Sequence, residues 1–335
     1  MKISSFVISE ETPVVIIAEV ACEHQGSLEA AKRLVELAKE AGADIVKFQL
    51  HLPAEEMIPG SVRFWAGSMD EVLAKVNLPT EQHVDLMRHC EAVGIQYLCT
   101  PFCAAAADLL DEMGVVAFKT GSGEMTNIPM LRHIARKGKP MVVSTGMATL
   151  EEIARTVAAL KEEGAEFALM NCTSAYPPRY EEVSLGLIRR LAEMFDVPVG
   201  HSDHTAEIWV PIGAVVAGAR IIEKHFTPDR SLKGPDHLVS LEPSEFRTMV
   251  DAIRKLERAL GAEKKVHPGE EEVRRWAHHS VVSLRPIAAG TALTTELVGV
   301  KRPGWGVPAR HLPEFVGRIA RRDIPADTLL AWEDI

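Results

Sequence analysis

The sequence predicts an α/β protein, a (β/α)8 TIM barrel followed by a small, mostly β domain. Three observations carry that expectation. Eight short β-branched runs alternate with amphipathic helical stretches between Val14 and His225, the pattern of βα units around a parallel sheet. Eight units fit the roughly 250 residues that such a barrel takes; a doubly wound open sheet is the alternative. A charged stretch from Glu263 to Trp276, containing Pro268 and Gly269, then interrupts the rhythm as a linker would.

The runs are Val14 to Glu19, Asp44 to Gln49, Ile95 to Thr100, Val115 to Thr120, Pro140 to Thr145, Glu166 to Cys172, Val197 to Ser202 and Ala219 to His225. Between the first two, Ser27 is placed to cap a helix whose apolar positions Leu28, Ala31, Leu34, Val35 and Ala38 keep helical spacing up to Gly42. Thr149 and Glu152 form a capping box before another helix. The expected organisation is a catalytic barrel over 1–262, a linker over 263–277 and a second domain over 278–335. Within that domain Ile287, Ala289, Thr291, Leu293 and Glu296 recur as Ile324, Ala326, Thr328, Leu330 and Glu333, which predicts internal pseudo-symmetry. A module of this size is marginal alone, so it should pack on the barrel or on another subunit.

Composition narrows the chemistry. A formal charge of −10, a pI near 5.8 and no Lys/Arg-rich block argue against nucleic acid or an anionic membrane as partner. No apolar run approaches the roughly 18 residues of a membrane span, and MKISSFVISEETP lacks the apolar core of a signal peptide. A cytoplasmic protein is expected. Cys22, Cys90, Cys99, Cys103 and Cys172 show no CxxC spacing and read as reduced thiols acting as small hydrophobes.

A barrel enzyme works at the C-terminal ends of its strands. Those ends here carry Glu19, Lys47 with Gln49, Thr100, Lys119 with Ser122 and Glu124, Ser144, Thr173 with Ser174, Ser202 with His204, and His225. So many polar groups converging on one end would be uncompensated in a purely structural layer. Two lysines and several hydroxyls make an anion site suited to phosphate. His204 and His225, on adjacent strand ends, suit one exchangeable divalent cation with water and substrate in the remaining positions, Mn2+ first and Mg2+ or Co2+ as alternatives. Glu19 and Glu124 read as general base, support for the cation or clamp on a sugar hydroxyl, with a salt bridge to Lys47 or Lys119 as the structural alternative. Asp236 and His237 in GPDH, and Tyr176 before Pro177 and Pro178, read as substrate-contacting loop residues.

The motifs IIAEVACEHQGSLE, ADIVKFQ, CTPF, FKTGSGEMTNIPML, GKPMVVSTGM, NCTSAYP, VGHSDHT, IIEKHFTPDR, GPDHLVSLEP and KRPGWG, in this order from Ala18 to about Asp334, resemble the N-acetylneuraminate (sialic acid) synthase family. The resemblance implies a (β/α)8 barrel with a C-terminal antifreeze-like (SAF) domain. It further implies condensation of phosphoenolpyruvate with an N-acyl hexosamine aldehyde, such as N-acetylmannosamine, to a nine-carbon 2-keto acid plus phosphate. The family's phosphoenolpyruvate contacts would fall on Lys47, Thr100, Lys119, Ser122, Ser144, Ser174 and Ser202, and its metal ligands on His204 and His225. Its acceptor contacts would fall on Gln49, Glu124, Tyr176, Asp236 and, from the partner of a homodimer, the C-terminal domain's Arg302. Glu19 matches the family's essential carboxylate. The family's common NHNG is here Glu23-His24-Gln25-Gly26, the aspartate after TPF is Cys103, and Asn171 precedes CTS; these departures are expected around the mouth, where they bear on the acceptor. Legionaminic- and pseudaminic-type synthases and enzymes using a 6-phosphorylated sugar are related alternatives. A Schiff-base aldolase using Lys47 or Lys119 and an inactive carbohydrate-binding or spore-coat-type protein are the competing classes.

Overall fold

The computed structural model describes residues 1–64, 67–232 and 236–335. The chain divides into two compact units, Met1–Leu260 and Gly261–Ile335. In the first, eight parallel strands follow the predicted runs: β1 Val15–Ala21, β2 Ile45–Leu50, β3 Gln96–Pro101, β4 Phe118–Thr120, β5 Met141–Ser144, β6 Phe167–Cys172, β7 Val199–Asp203 and β8 Ile221–His225. Their order is β3-β2-β1-β8-β7-β6-β5-β4, so β1 pairs with β8 and the order is that of a barrel, not of a doubly wound sheet. β3 and β4 also lie side by side, with no ladder between them among the described residues.

Alternation along the strands builds the site's floor. Val15, Ile17, Ile45, Leu98, Ala117, Val142, Ala168, Met170 and Ile221 form one apolar cluster inside the barrel, as side chains two apart share a face. A short N-terminal hairpin, Lys2–Ile3 with Phe6–Val7, adds Ile3 and Ile8 to this cluster; nothing in the sequence pattern announced it. The next inward positions, one step toward the C-terminal ends, are polar. In the apolar layer β7 contributes Gly200, in register with Met170, because a Cβ there would come within 2.5 Å of Met170 Sδ and 2.7 Å of Ile221 Cβ. The opposite strand faces pack on the helices in a second, larger apolar cluster.

Helix starts follow the expected chemistry. Ser27 accepts from Ala30 N at 3.3 Å at the head of Leu28–Glu40. Thr149 and Glu152 exchange both capping-box bonds before Leu150–Glu162.

The second unit holds an antiparallel pair, Ser280–Ser283 with Val298–Lys301, and several isolated bridges. The repeat in its sequence is realised as pairing: Ile287 and Ile324 exchange backbone hydrogen bonds of 2.8 Å in each direction, and Leu293 and Leu330 share its core. The charged stretch before it folds as a short helix, Glu271–Ala277, within the same unit.

Candidate active site

The C-terminal ends of the strands surround a cavity of about 480 Å3. At its base lies a cluster of four buried charges. Lys47 Nζ is 3.0 Å from Glu19 Oε2 and 3.0 Å from Glu223 Oε1. Lys119 Nζ is 3.7 Å from the same Glu223 oxygen and donates to Ser144 Oγ at 2.8 Å. Ser202 Oγ also donates to Glu223 Oε1, at 3.1 Å. Two cations facing two carboxylates keep the cluster near neutrality, which a low-dielectric site requires.

The two acids are not equivalent. Burial pushes the Glu19 carboxyl up, to about 7, against the pull of Lys47. Burial pushes Glu223 up too, but Lys119, Lys47 and the Ser202 hydroxyl outweigh it and hold Glu223 down, at about 2. Burial opposes the charge on Lys47 as well, yet Glu19 and Glu223 keep it protonated above its ordinary range. Glu19 is thus the titrating member, and Gln49 Nε2 donates to its Oε1 at 3.0 Å. The salt bridge foreseen as the structural alternative for Glu19 is present, and it is also what places the carboxylate at the cavity.

Around this base stand the hydroxyls. Thr100, Ser122, Ser144, Ser174 and Ser202 all line the cavity. Gly146 lets two of them converge: a Cβ there would lie 2.4 Å from Ser174 Oγ and 2.5 Å from Ser122 Oγ. Its backbone is not in the left-handed region, so the constraint is space alone. Gly146→Ala should therefore displace both hydroxyls at modest stability cost, since side-chain ends can move. Losing one or two hydrogen bonds to an ionised oxygen, about 1.5 kcal/mol each, is worth roughly 10- to 150-fold. The KM for the anionic substrate should rise by that factor while the melting temperature changes little; an unchanged KM would remove these hydroxyls from the anion site.

Glu124 sits in the 3-10 turn Ser122–Thr126 and lines the cavity. Its Oε2 is buried without a hydrogen-bond partner, and burial raises its carboxyl above the ordinary range.

On the far wall His204 and His225 face each other with ring centroids 5.3 Å apart. Tyr176 packs on His204 with ring centroids 4.1 Å apart and planes tilted by 35°, and meets His225 edge-on at 5.9 Å. His204 Nδ1 donates to the Thr173 carbonyl at 2.7 Å, which makes Nε2 its lone-pair nitrogen. His225 Nδ1 is buried without a hydrogen-bond partner, 3.9 Å from Asp236 Oδ2. Burial, then the positive fields of His204 and Lys47, hold His225 far below its ordinary value, hence neutral. Among the described residues no group of three or more His, Cys, Asp or Glu is arranged to hold a metal ion. His225 with its orphaned Nδ1, beside a His204 whose Nδ1 is taken up by the Thr173 carbonyl, fits a cation that takes two protein ligands and completes its shell with water and substrate.

All candidates of the first unit but Thr173 and His237 thus line one cavity: Glu19, Lys47, Gln49, Thr100, Lys119, Ser122, Glu124, Ser144, Ser174, Tyr176, Ser202, His204, His225 and Asp236. Gly234 and Pro235, which precede Asp236, lie outside the described residues. Arg302 lies in the second unit, where its Nε donates to Ala277 O at 3.0 Å and its guanidinium covers Trp276.

Several expectations need correcting. Thr173 turns away, its hydroxyl donating to Glu182 O at 3.0 Å. His237 is no loop contact; it is buried and paired with Glu23 Oε2 at 2.5 Å and Thr227 Oγ1 at 2.9 Å. Cys172 is more than a small hydrophobe, for it lines the cavity with Sγ 3.5 Å from Ser122 Oγ and 3.9 Å from His204 Nδ1. Burial raises its thiol, but His204, Ser122 and Lys119 outweigh burial and hold it below the ordinary value. Asn171 is not at the mouth, since it faces outward from β6 and donates to Val183 O at 3.1 Å. Cys103 caps the next helix, accepting from Ala106 N at 3.4 Å. Sequence reading also missed Glu223 at the centre of the cluster, although its spacing of two from His225 places it on the same face. Phe102, Met69 and Met147 on the cavity wall carried no recognisable signal.

Comparison with known proteins gives concordant matches. The NeuB family model matches residues 34–265, and a SAF domain model matches residues 278–335. An N,N'-diacetyllegionaminic acid synthase of Legionella pneumophila is 38% identical over 335 residues, covering 96% of this chain and 94% of that protein. The N-acetylneuraminate-9-phosphate synthase of Homo sapiens is 36% identical, covering 93% of this chain and 89% of that protein. Among solved structures, an N-acetylneuraminic acid (sialic acid) synthetase from Leptospira borgpetersenii superposes with a TM-score of 0.74 at 31% identity, covering 82% of this chain and 94% of that chain.

Proposed function

The chain belongs to the NeuB family, and on that premise we propose that it joins phosphoenolpyruvate to an N-acyl hexosamine aldehyde, giving a nine-carbon 2-keto sugar acid and inorganic phosphate. It is an enzyme of the sialic-acid-type synthases. The observation that carries the specific reading is the shared cavity, with two lysines and five hydroxyls gathered beside the His204–His225 pair.

Phosphoenolpyruvate lies over the base, where Lys47 and Lys119 meet its charge and Thr100, Ser122, Ser144, Ser174 and Ser202 donate to its oxygens. The open-chain acceptor lies toward Tyr176, with Gln49, Glu124 and Asp236 as partners for its hydroxyls and amide. His204 and His225 would hold a divalent cation, Mn2+ in the first instance, which when bound supplies polarisation of the acceptor's aldehyde oxygen. The C2=C3 π electrons of phosphoenolpyruvate form the new bond from C3 to the aldehyde carbon, leaving an oxocarbenium at C2 and an alkoxide on the former aldehyde oxygen. Water adds at C2, and Glu19 takes one of its protons and passes it on to that alkoxide. The bond from C2 to the phosphate oxygen breaks as the C2 hydroxyl gives its remaining proton to the departing phosphate, leaving the 2-keto group. The fixed hydroxyls and lysines remain on the departing phosphate throughout, which is where preorganised donors act.

The test is phosphate release from phosphoenolpyruvate with a panel of N-acetylmannosamine, its 6-phosphate and a 2,4-diacetamido-2,4,6-trideoxy hexose, each with and without Mn2+. Turnover with at least one acceptor and no release without it is expected; release requiring no acceptor would sink the reading. The same assay across pH examines Glu19. Its base form grows as pH rises through about 7, so kcat/KM should fall on the acid side of that value. Glu19→Gln should lose that limb along with most of the rate. Arg302→Ala belongs in the panel too. If a partner subunit's second domain completes the acceptor site, this change should raise the acceptor KM and spare that of phosphoenolpyruvate.

A further inference from the structure

Behind the mouth, on the opposite faces of β6, β7 and β8, lies a second polar network. Asn171, His201, Asp203 and Lys224 are all buried, Lys224 completely. Alternation explains their direction: Ser202, Glu223 and His225 point into the barrel, so His201, Asp203 and Lys224 point toward the helices. That outer face is ordinarily apolar, because helices cover it.

The bonds converge on the residues flanking His204. Lys224 Nζ is 2.7 Å from Asp203 Oδ2 and also donates to the carbonyl of Thr205. Thr205 Oγ1 donates to Asp203 Oδ2 at 2.7 Å. Asp203 Oδ1 lies 3.4 Å from His201 Nε2, and His201 Nδ1 lies 3.4 Å from Asn171 Nδ2. One ammonium therefore holds both the residue before His204 and the residue after it. The imidazole is fixed from the other side by the Thr173 carbonyl.

Stability alone does not account for this arrangement. A buried ion pair is often no more stabilising than apolar side chains of similar volume. What the ion pair supplies, and apolar packing does not, is direction, because its hydrogen bonds fix the backbone turn from 203 to 205. We infer that Asp203 and Lys224 are positioning residues that act through the barrel wall, setting the His204 imidazole in the mouth from the outer face of β7 and β8. The inference rests on the reading of His204 as a cation ligand, and its experiment separates the two.

Full-length Asp203→Asn, Lys224→Met and the double variant are compared with the parent and with His204→Ala. Each is measured for melting temperature, for Mn2+ affinity by electron paramagnetic resonance of the free ion, and for the His204 Nδ1–H resonance, assigned by its loss in His204→Ala. The single variants leave one buried charge unpaired and should melt lower. The double variant should regain the parent's melting temperature, yet bind Mn2+ about 10- to 100-fold more weakly, the usual range for groups that orient a metal-binding histidine. Its His204 resonance should shift, and phosphoenolpyruvate affinity should stay as in the parent. Parental Mn2+ affinity in the double variant, when His204→Ala lowers it, would overturn the inference. If His204→Ala binds Mn2+ like the parent, the cation reading fails, and the resonance decides: a shift in the double variant sustains the positioning role, and an unmoved resonance overturns it.

Discussion

Lys47→Met is expected to be among the most damaging single changes in the barrel, and to damage stability and binding separately. The ammonium stands 3.0 Å from both Glu19 and Glu223, and all three side chains are buried. Removing it leaves two carboxylates facing each other with Lys119 as the remaining cation. Breaking a buried charge pair from one side typically costs about 3–5 kcal/mol. Glu19, already the weaker acid, should take up a proton to relieve this. In the double variant Lys47→Met with Glu223→Gln one charge of each sign is gone, so most of the stability should return. The KM for phosphoenolpyruvate should not return, because the lost charge-assisted contact of about 1.5–3 kcal/mol is still missing. Thermal melts and initial rates on the two variants check this. A rise in the acceptor KM alone would mean that Lys47 does not face the anion.

His225→Ala should act in the opposite way, sparing the fold and removing the reaction. The ring is neutral, its Nδ1 is bonded to nothing, and its neighbours are Tyr176 and His204, so no charge is stranded by its loss. If the pair holds the cation that polarises the aldehyde, several kcal/mol of transition-state stabilisation go with it, about 1,000-fold in kcat or more. His204→Ala should match it, and EDTA should reproduce the loss in the parent enzyme until Mn2+ is restored. Binding of phosphoenolpyruvate, measured by titration, should persist in both variants because the lysines and hydroxyls are untouched. Full activity in rigorously metal-free enzyme would exclude the cation.

The two experiments divide the cavity into an anion half and an aldehyde half. That division matters for the acceptor, since the relatives include an N,N'-diacetyllegionaminic acid synthase and an N-acetylneuraminate-9-phosphate synthase at similar identity. The side proposed for the acceptor carries Glu124 and Asp236, both raised above ordinary carboxyl values chiefly by burial. Partners for hydroxyl and amide groups are therefore present whichever sugar is taken.

What the sequence determined by itself is local. Polar residues at period-two spacing near the C-terminal ends of the strands were enough to bring Lys47, Lys119, Ser144, Ser202 and His225 to one end of one barrel. Capping at Ser27 and Thr149 was legible because a cap reaches only three residues along the chain. The repeat over Ile287 and Ile324 was visible as a pattern, though not that its two copies pair with each other. Tertiary structure alone decided the partnerships. Lys47 meets Glu223 across 176 positions of sequence, and Asn171 meets His201 across 30; barrel closure and strand register set such pairs, and no spacing rule reaches that far. It also decided which face each ionisable residue took where several stand in a row. In VGHSDHT and IIEKHF, Ser202, Glu223 and His225 turn to the cavity and Asp203 and Lys224 to the helices. A one-residue change of register would exchange the two sets, and register is fixed by the packed core.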